Sequence, residues 1–318
     1  MGCYINRQPV GHTKVGQQIE IMTTKLRLAF TADLHWGSRA TGDAATRLLA
    51  EFLTAEPPDV LVLAGDIGAG DDFASCLSLF SGLESRKALV PGNHDIWVET
   101  DDPRGDSLQV YKRHLPEIAQ DYGFHYLDQG PLIFPEASLA LAGSINWYDY
   151  SWSIDALRQR TSDWEERLRS KRFTRGQHND VRYVQWPLDD VRFTAQAAMT
   201  FEQHLHQASA EVDQVIVVTH HPPFYGLSFP RADRPTTLDD LLWEAFAGNR
   251  TVEAILVRYA ERIPLAFCGH THRARENSLG RIRGYNIGGD YSFKRLLQLD
   301  WPGGTPRSHV FGDPEAAP

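Results

Sequence analysis

The chain has 318 residues, of which 42% are hydrophobic and 23% are charged, and its formal net charge is −9. This composition is typical of a folded globular protein and excludes a disordered or fibrous chain. No apolar run approaches the roughly 18–20 residues of a membrane span, and the acidic balance disfavours tight, sequence-independent binding of nucleic acid. We therefore expect a soluble, cytoplasmic protein without a membrane partner.

The first residues differ from the rest of the chain because they show no clear periodicity. We therefore interpret residues 1–24 as an N-terminal extension. Charges and glycines stand where a secretory signal needs an apolar core, so we expect no export signal. Residues 25–318 are expected to form one domain. The cysteines Cys3, Cys76 and Cys268 lie far apart without a CxxC pair, which fits a reducing compartment.

From Lys25 onward, short β-rich runs alternate with helical patterns, as is typical of a layered α/β protein. In two of the helical patterns, residues 45–53 and 252–259, the apolar residues recur on one face of the predicted helix. Strands are predicted, in chain order, at residues 26–31, 59–64, 88–90, 139–142, 214–219, 265–268, 282–287 and 293–299.

One segment, at about residues 146–190, has a composition of its own, and we interpret it as a cap-like insertion. It holds four of the eight tryptophans, and between residues 156 and 182 eight basic residues accompany four acidic ones. Two interpretations stay open. Either the tryptophans pack a solvated helical segment onto the main domain, or the segment is a lid that helps to hold an anionic substrate.

Five short segments place metal-binding side chains directly after apolar runs. Ligands gather beyond the carboxyl ends of strands in open α/β sheets, so five such ends at one edge would converge on one site. Imidazole and carboxylate donors without thiolate suit Mn, Fe or Zn, and Gly65, Gly92 and Gly269 allow close approach of the backbone. Seven donors are too many for one tetrahedral ion but suit two ions that share a carboxylate. The candidate ligands are Asp33, His35, Asp66, Asn93, His220, His270 and His272.

The order of these segments (Asp-x-His, Gly-Asp, Gly-Asn-His-Asp, His-His-Pro-Pro and Gly-His-Thr-His) resembles the calcineurin-like metallophosphoesterase superfamily over about residues 26–290. The resemblance implies a four-layer αββα sandwich of two mixed β-sheets flanked by helices, here with an inserted helical cap segment. It also implies a centre of two divalent or trivalent metal ions at one rim. It assigns Asp33, His35 and His272 to the first ion and Asn93, His220 and His270 to the second, with Asp66 bridging.

Two ions about 3.5–4 Å apart lower the pKa of a shared water, so we expect a bridging hydroxide to attack a phosphodiester, or a phosphomonoester, in line. His94 is the predicted catalytic residue, either protonating the leaving oxygen or stabilising the phosphoryl group. Asp95 is a candidate to orient His94, and His221 is expected to support the ligands. Trp36 and Trp97 flank ligand segments and either pack in the core or stack on a substrate ring.

Two other functions stay open beside a phosphoesterase with a small-molecule substrate. A manganese-dependent nuclease is favoured by the basic insertion and opposed by the acidity of the whole chain. A non-catalytic scaffold with the same fold would be free to lose ligands, and none of the seven is missing. The arginines Arg273, Arg275, Arg281 and Arg283 either pair with substrate phosphates or belong to an exposed hairpin.

Overall fold

Two six-stranded β-sheets lie face to face in the computed structural model, which describes residues 1, 24–228, 234 and 236–316. Helices cover the outer face of each sheet, so the layers follow the order helix, sheet, sheet, helix. The predicted four-layer αββα sandwich of two mixed sheets is therefore confirmed. Most of the predicted N-terminal extension, with Cys3, lies outside the described residues.

The strands are β1 Leu26–Thr31, β2 Val60–Ala64, β3 Arg86–Val90, β4 Phe124–Tyr126, β5 Leu132–Phe134, β6 Leu139–Ser144, β7 Gln214–Thr219, β8 Leu265–Cys268, β9 Arg275–Leu279, β10 Ile282–Asn286, β11 Lys294–Trp301 and β12 Arg307–Phe311. The first sheet has the order β12-β11-β1-β2-β3-β4, and the second has the order β5-β6-β7-β8-β10-β9. Strands β1 to β4 are parallel to one another, as are β6, β7, β8 and β10. The remaining strands pair antiparallel, which makes both sheets mixed.

The helices are α1 Ala40–Ala55, α2 Asp71–Ser78, α3 Ser107–Gln109, α4 Leu115–Asp121, α5 Ile154–Arg160, α6 Trp164–Arg169, α7 Asp180–Tyr183, α8 Asp190–Glu211, α9 Leu238–Ala245 and α10 Arg250–Arg258. Side-chain caps define several helix starts. Asn249, for example, accepts a hydrogen bond from the backbone N–H of Val252 at the start of α10. Within the described residues, no helix is both long enough and apolar enough to cross a bilayer.

Strand alternation explains why the sheets stack. In β2, Val62 packs into the cluster between the two sheets, whereas its neighbours Leu61 and Leu63 pack against the helices on the outer face. Across the interface, the rings of Phe30 in β1 and Phe267 in β8 stack with centroids 3.9 Å apart. This contact brings the carboxyl ends of β1 and β8, which both precede predicted ligands, next to each other.

The segment between β6 and α8 contains α5, α6 and α7 and coincides with the predicted insertion. Trp147 is fully buried against Tyr148, Trp186 and Phe193, as the packing interpretation requires. Much of the basic charge is compensated by neighbouring acids. The pairs are Arg158–Asp155, Arg167–Asp163, Arg172–Asp163, Arg169–Glu166 and Lys171–Asp190. The assignment of this segment as an insertion stays a prediction.

Candidate metal centre

The seven predicted ligands come together where the two sheets meet. They follow the carboxyl ends of five strands, but these ends do not belong to one sheet as first expected. Three strands of the first sheet and two of the second contribute, because the stacking of the sheets brings both edges to the same place. The first sheet supplies Asp33, His35, Asp66 and Asn93, and the second supplies His220, His270 and His272.

The carboxylate of Asp66 lies at the middle of this cluster. Its Oδ2 atom is 3.3 Å from Nε2 of His220, 3.6 Å from Nε2 of His35 and 3.9 Å from Nε2 of His94. Ligand atoms about 2.1 Å from a tetrahedral ion lie about 3.4 Å from one another, so these spacings suit donors that share a cation. The cluster has two halves, and Asp66 lies close to a histidine of each, His35 in one and His220 in the other.

One half of the cluster consists of Asp33, His35 and His272 together with Asp66, and their donor atoms lie within 4.8 Å of one another. Nε2 of His35 is 2.9 Å from Nε2 of His272, which is itself 3.7 Å from Oδ1 of Asp33. Oδ2 of Asp33 is buried and, among the described residues, has no hydrogen-bond partner. A buried carboxylate oxygen without a partner is costly, and a bound cation would satisfy it.

The other half consists of Asn93, His220 and His270. Oδ1 of Asn93 lies 3.2 Å from Nε2 of His220 and 3.3 Å from Nδ1 of His270. Nδ1 of His220 lies 3.0 Å from the backbone oxygen of Ala64. A proton on Nδ1 satisfies that carbonyl and leaves a lone pair on Nε2, which faces Asp66 and Asn93.

The two residues predicted to support the ligands, His221 and Asp95, make different contacts. His221 belongs to the same group of donors as His220 and His270, and its buried Nε2 has no partner among the described residues. Asp95 accepts from the backbone N–H groups of Ile67 and Gly92, each at 2.7 Å. Its carboxylate therefore links the loop that carries Asp66 to the loop that carries Asn93. Among the described residues Asp95 forms no hydrogen bond with His94, so the predicted orienting contact is absent there.

Burial and charge set the protonation states of these side chains. Burial lowers the pKa of His35 and His270 well below the ordinary value and that of His272 to about 4, so these rings are neutral and keep a lone pair. Burial alone would raise the pKa of Asp66, but the neighbouring imidazoles, His220 foremost, hold it well below its ordinary value. His35, His270 and His272 therefore offer neutral imidazoles beside an ionised carboxylate, a donor set that divalent cations prefer. Burial lowers the pKa of His220, but Asp66 outweighs it and raises that pKa to about 9, so a cation bound at Nε2 of His220 would displace a proton.

Strained backbone is concentrated at the same residues. Ten non-glycine residues in the described chain have positive φ, a region that costs side-chain-bearing residues energy and is enriched at functional sites. Five of the ten are predicted ligands, namely Asp33 at 56°, His35 at 44°, Asp66 at 54°, His270 at 70° and His272 at 55°.

A cleft of about 680 Å³ opens beside the cluster. Near the cluster it is lined by Tyr291, whose ring stacks on His35 with centroids 4.2 Å apart. It is also lined by Phe173 and Trp243, which stack on each other with centroids 4.6 Å apart. Residues 173 and 175–179 of the predicted insertion therefore form one wall of the cleft.

The predicted catalytic residue, His94, lies on the wall of this cleft beside Asp66. Its ring stacks on Trp97 with centroids 3.6 Å apart, and Trp97 stacks in turn on Tyr183 at 4.8 Å. Burial lowers the pKa of His94, against the opposing charge of Asp66. Trp97 therefore restricts the plane of the His94 ring. Because Trp97 also lines the cleft, its stacking on a substrate ring stays a prediction.

The arginines that follow the last ligands divide between two places. Arg281 forms an ion pair with Glu261, and Arg283 pairs with Glu276 at 3.1 Å, both in the region of the β9–β10 hairpin. Of the four arginines considered from the sequence, Arg273 is the one that lines the cleft. The hairpin interpretation therefore describes most of this group.

Comparisons with known proteins agree with this geometry. The sequence profile of the family described as calcineurin-like phosphoesterase matches residues 26–274. The chain belongs to this family. Over 107 residues it is 30% identical to [acyl-carrier-protein] phosphodiesterase PptH of Mycobacterium tuberculosis, a match that spans 33% of this chain and 29% of that protein.

Two solved structures show how far the fold is shared. Phosphopantetheinyl hydrolase (PptH) from Mycobacterium tuberculosis superposes with a TM-score of 0.63 at 19% identity, covering 92% of this chain and 98% of that chain. A dimetal phosphatase from Danio rerio gives a TM-score of 0.55 at 12% identity, covering 90% and 98%. At these identities the likeness establishes the fold alone.

Two glycines of this phosphoesterase approach the candidate ligands closely. A Cβ atom on Gly92 would lie 2.1 Å from Oδ1 of Asp66, and one on Gly65, which has a φ of 86°, would lie 2.4 Å from Nδ1 of His220. We expect Gly92→Ala to destabilise the fold by about 1–3 kcal/mol through overpacking. By displacing Asp66 it should also lower phosphoesterase activity about 10²-fold.

Thermal unfolding and initial rates of Gly92→Ala measure these two effects. Gly82→Ala is the matched control, because a Cβ atom at Gly82 meets no atom within 4 Å. Wild-type stability and activity in Gly92→Ala would show that the close approach of Gly92 to Asp66 has no consequence.

Several residues around the centre were not predicted from the sequence. The buried Lys294 donates from Nζ to the backbone oxygen of Asp33 at 3.1 Å. The buried Asp180 accepts a hydrogen bond from Asn93. Neither residue, nor Tyr291, belongs to a motif, and nothing in their local sequence distinguishes them from surface positions.

Proposed function

We propose that this phosphoesterase is a metal-dependent phosphodiesterase with two Mn, Fe or Zn ions. The observation that carries the proposal is the convergence of six donors around a seventh, Asp66, beside an open cleft. When bound, two ions would lower the pKa of a shared water and neutralise charge on the phosphoryl oxygens. The proposed ligands are Asp33, His35 and His272 for one ion and Asn93, His220 and His270 for the other, with Asp66 shared.

His94 is the proposed catalytic residue outside the ligand set. It faces the cleft, and its stacking on Trp97 restricts the direction in which its ring N–H groups point. A substrate phosphate brings negative charge next to the ring and so favours its protonated form. His94 would then donate a proton to the leaving oxygen or a hydrogen bond to the phosphoryl group.

The shape of the cleft supports a diester rather than a monoester. A monoester places one substituent beyond the phosphorus, whereas a diester places two. The cleft offers one aromatic wall at Trp97 and Tyr291, which stack on His94 and His35, and a second at Phe173 and Trp243, which stack on each other. Two walls give each substituent of a diester an apolar surface to contact.

The name of the Mycobacterium relative suggests a first natural substrate class. That protein is an [acyl-carrier-protein] phosphodiesterase, and its solved structure is that of a phosphopantetheinyl hydrolase. We therefore propose the phosphopantetheinyl diester of an acyl carrier protein as the first physiological candidate. The ion pairs within residues 155–190 occupy much of the basic charge that a nuclease would use, so the alternative of a nuclease is not favoured.

The function is tested with bis(p-nitrophenyl) phosphate and p-nitrophenyl phosphate in the presence of Mn²⁺. We expect the diester to be hydrolysed with a kcat/KM about tenfold or more above that of the monoester. Chelation should abolish the activity, and Mn²⁺ added back to the dialysed protein should restore it. Activity that survives in protein shown to be free of metal would contradict the proposal, and a preference for the monoester would contradict its diester part.

The natural substrate is tested with a phosphopantetheinylated acyl carrier protein. We expect mass spectrometry to show that the carrier loses its phosphopantetheinyl group in a manner that depends on Mn²⁺ and on Asp66. An unchanged carrier beside an active diesterase would exclude this substrate while leaving the reaction class in place.

A further inference from the structure

A buried carboxylate outside the ligand set contacts Asn93, one of the proposed ligands of the second ion. Asp180, the first residue of α7, is completely buried. Its Oδ1 atom accepts from Nδ2 of Asn93 and from Nε1 of Trp97, each at 2.9 Å. Its Oδ2 atom accepts from the hydroxyl of Tyr148 at 2.9 Å and lies 3.3 Å from Nδ1 of His178. Both oxygens are therefore held in place from two sides.

We propose that Asp180 is a positioning residue that fixes which end of the Asn93 amide faces the second ion. The oxygen and nitrogen ends of an asparagine amide have almost the same size, so packing alone does not choose between them. An ionised carboxylate only accepts hydrogen bonds, so it selects the NH2 end. The carbonyl end of Asn93 is then left facing His220 and His270, where a cation needs an oxygen donor. This inference rests on the proposed two-ion centre.

The same carboxylate also supports the proposed catalytic residue. The indole N–H of Trp97 has one hydrogen-bond direction, and Asp180 occupies it. Trp97 carries the stacked ring of His94 on its face. Asp180 thus connects a metal ligand and the catalytic histidine to the segment between β6 and α8, which itself supplies no ligand.

A second buried carboxylate provides a matched control. Asp190 accepts a hydrogen bond from Nε1 of Trp147 at 2.8 Å and pairs with Tyr150 and Lys171. Like Asp180 it is buried and anchors the same segment with an indole and a phenol. None of these partners is a proposed ligand. Replacement of Asp190 therefore measures how the loss of a buried carboxylate in this segment affects stability and metal binding in general.

The test is calorimetric titration of the metal-free full-length protein with Mn²⁺. The wild type is expected to bind two ions. Asp180→Asn is isosteric and should weaken the second ion about 10–100-fold, the usual effect of losing a residue that orients a ligand, while leaving the first unchanged. Asp190→Asn should keep both affinities, whatever its effect on thermal stability.

A second pair of variants, based on Asn93→Asp, keeps the inference testable even if Asp180→Asn alone does not fold. In Asn93→Asp, the new carboxylate faces that of Asp180 across 2.9 Å, and the repulsion should weaken the second ion. In the double variant Asn93→Asp/Asp180→Asn, the amide at position 180 donates to the carboxylate at position 93. The substitution at 180 should therefore strengthen second-ion binding in this background, although it weakens binding in the wild type.

A merely structural role for Asp180 predicts weaker binding in both backgrounds, and that result would overturn the inference. Wild-type affinity for the second ion in Asp180→Asn would overturn it as well, as would an equal loss in Asp190→Asn. Failure of the proposed two-ion centre can be told apart from failure of this inference. In that case the wild type itself would bind fewer than two Mn²⁺ ions.

Discussion

Asp66→Asn is expected to lower kcat for phosphodiester hydrolysis by at least about 10³-fold. The carboxylate lies 3.3 Å from His220 and 3.6 Å from His35, one in each half of the proposed centre. An amide has no charge to share between two cations, and its NH2 group would face the ions or the imidazoles. The metal content should fall from two ions per chain to one or none. Steady-state rates with Mn²⁺ and metal analysis of the purified variant measure both effects.

The matched control for this variant is Asp128→Asn. Asp128 is another buried carboxylate, which accepts from the hydroxyl of Tyr111 at 2.6 Å and from the backbone N–H of Ile145 at 2.9 Å. We expect its replacement to lower thermal stability while kcat and metal content stay at wild-type values. Two bound ions and wild-type turnover in Asp66→Asn would show that the shared position is assigned to the wrong residue.

His94→Ala is expected to lower kcat about 10²–10⁴-fold on a diester with an alkyl leaving group, while two ions per chain are retained. This loss corresponds to about 3–5 kcal/mol of transition-state stabilisation. An alkoxide needs a proton as it leaves, whereas p-nitrophenolate is stable without one. The loss should therefore be smaller on bis(p-nitrophenyl) phosphate, and comparing kcat on the two substrates measures proton donation directly.

His125→Ala serves as the control, since His125 is a partly buried histidine whose ring contacts the backbone oxygen of Gly130 at 2.8 Å. Equal losses on both substrates would assign His94 to binding the phosphoryl group instead of protonating the leaving oxygen. Loss of metal in His94→Ala would contradict its proposed place outside the ligand set.

The central strands could be predicted from the sequence, but the edge strands could not. Strands such as β2 and β7 are buried on both faces and appear in the sequence as apolar runs. The four strands that were missed, β4, β5, β9 and β12, all lie at the edges of the sheets. An edge strand such as β9 is largely exposed, so no apolar run distinguishes it from a loop.

In the candidate site, the positions of the ligands could be predicted from the sequence, whereas the contacts that support the ligands could not. Each of the seven proposed ligands directly follows a buried strand, so its position could be inferred from the strand before it. The contact of Asp180 with Asn93 spans 87 residues and depends on the path of a segment without a strand. Local sequence contains no information on that path. The ligands come from the edges of two sheets because the two sheets stack on each other. Stacking depends on whole sheets rather than on local sequence, so the sequence led us to expect a site at the edge of one sheet.

The division of the donors between the sheets has a further consequence. His272 comes from one sheet and its partners Asp33 and His35 from the other, while Asn93 faces His220 across the same boundary. Each proposed ion would therefore cross-link the two halves of the sandwich, much as a disulfide closes a long loop. Neither sheet alone holds a complete coordination sphere. The ions would therefore bind only after the two sheets have packed together, and their uptake would mark the end of folding.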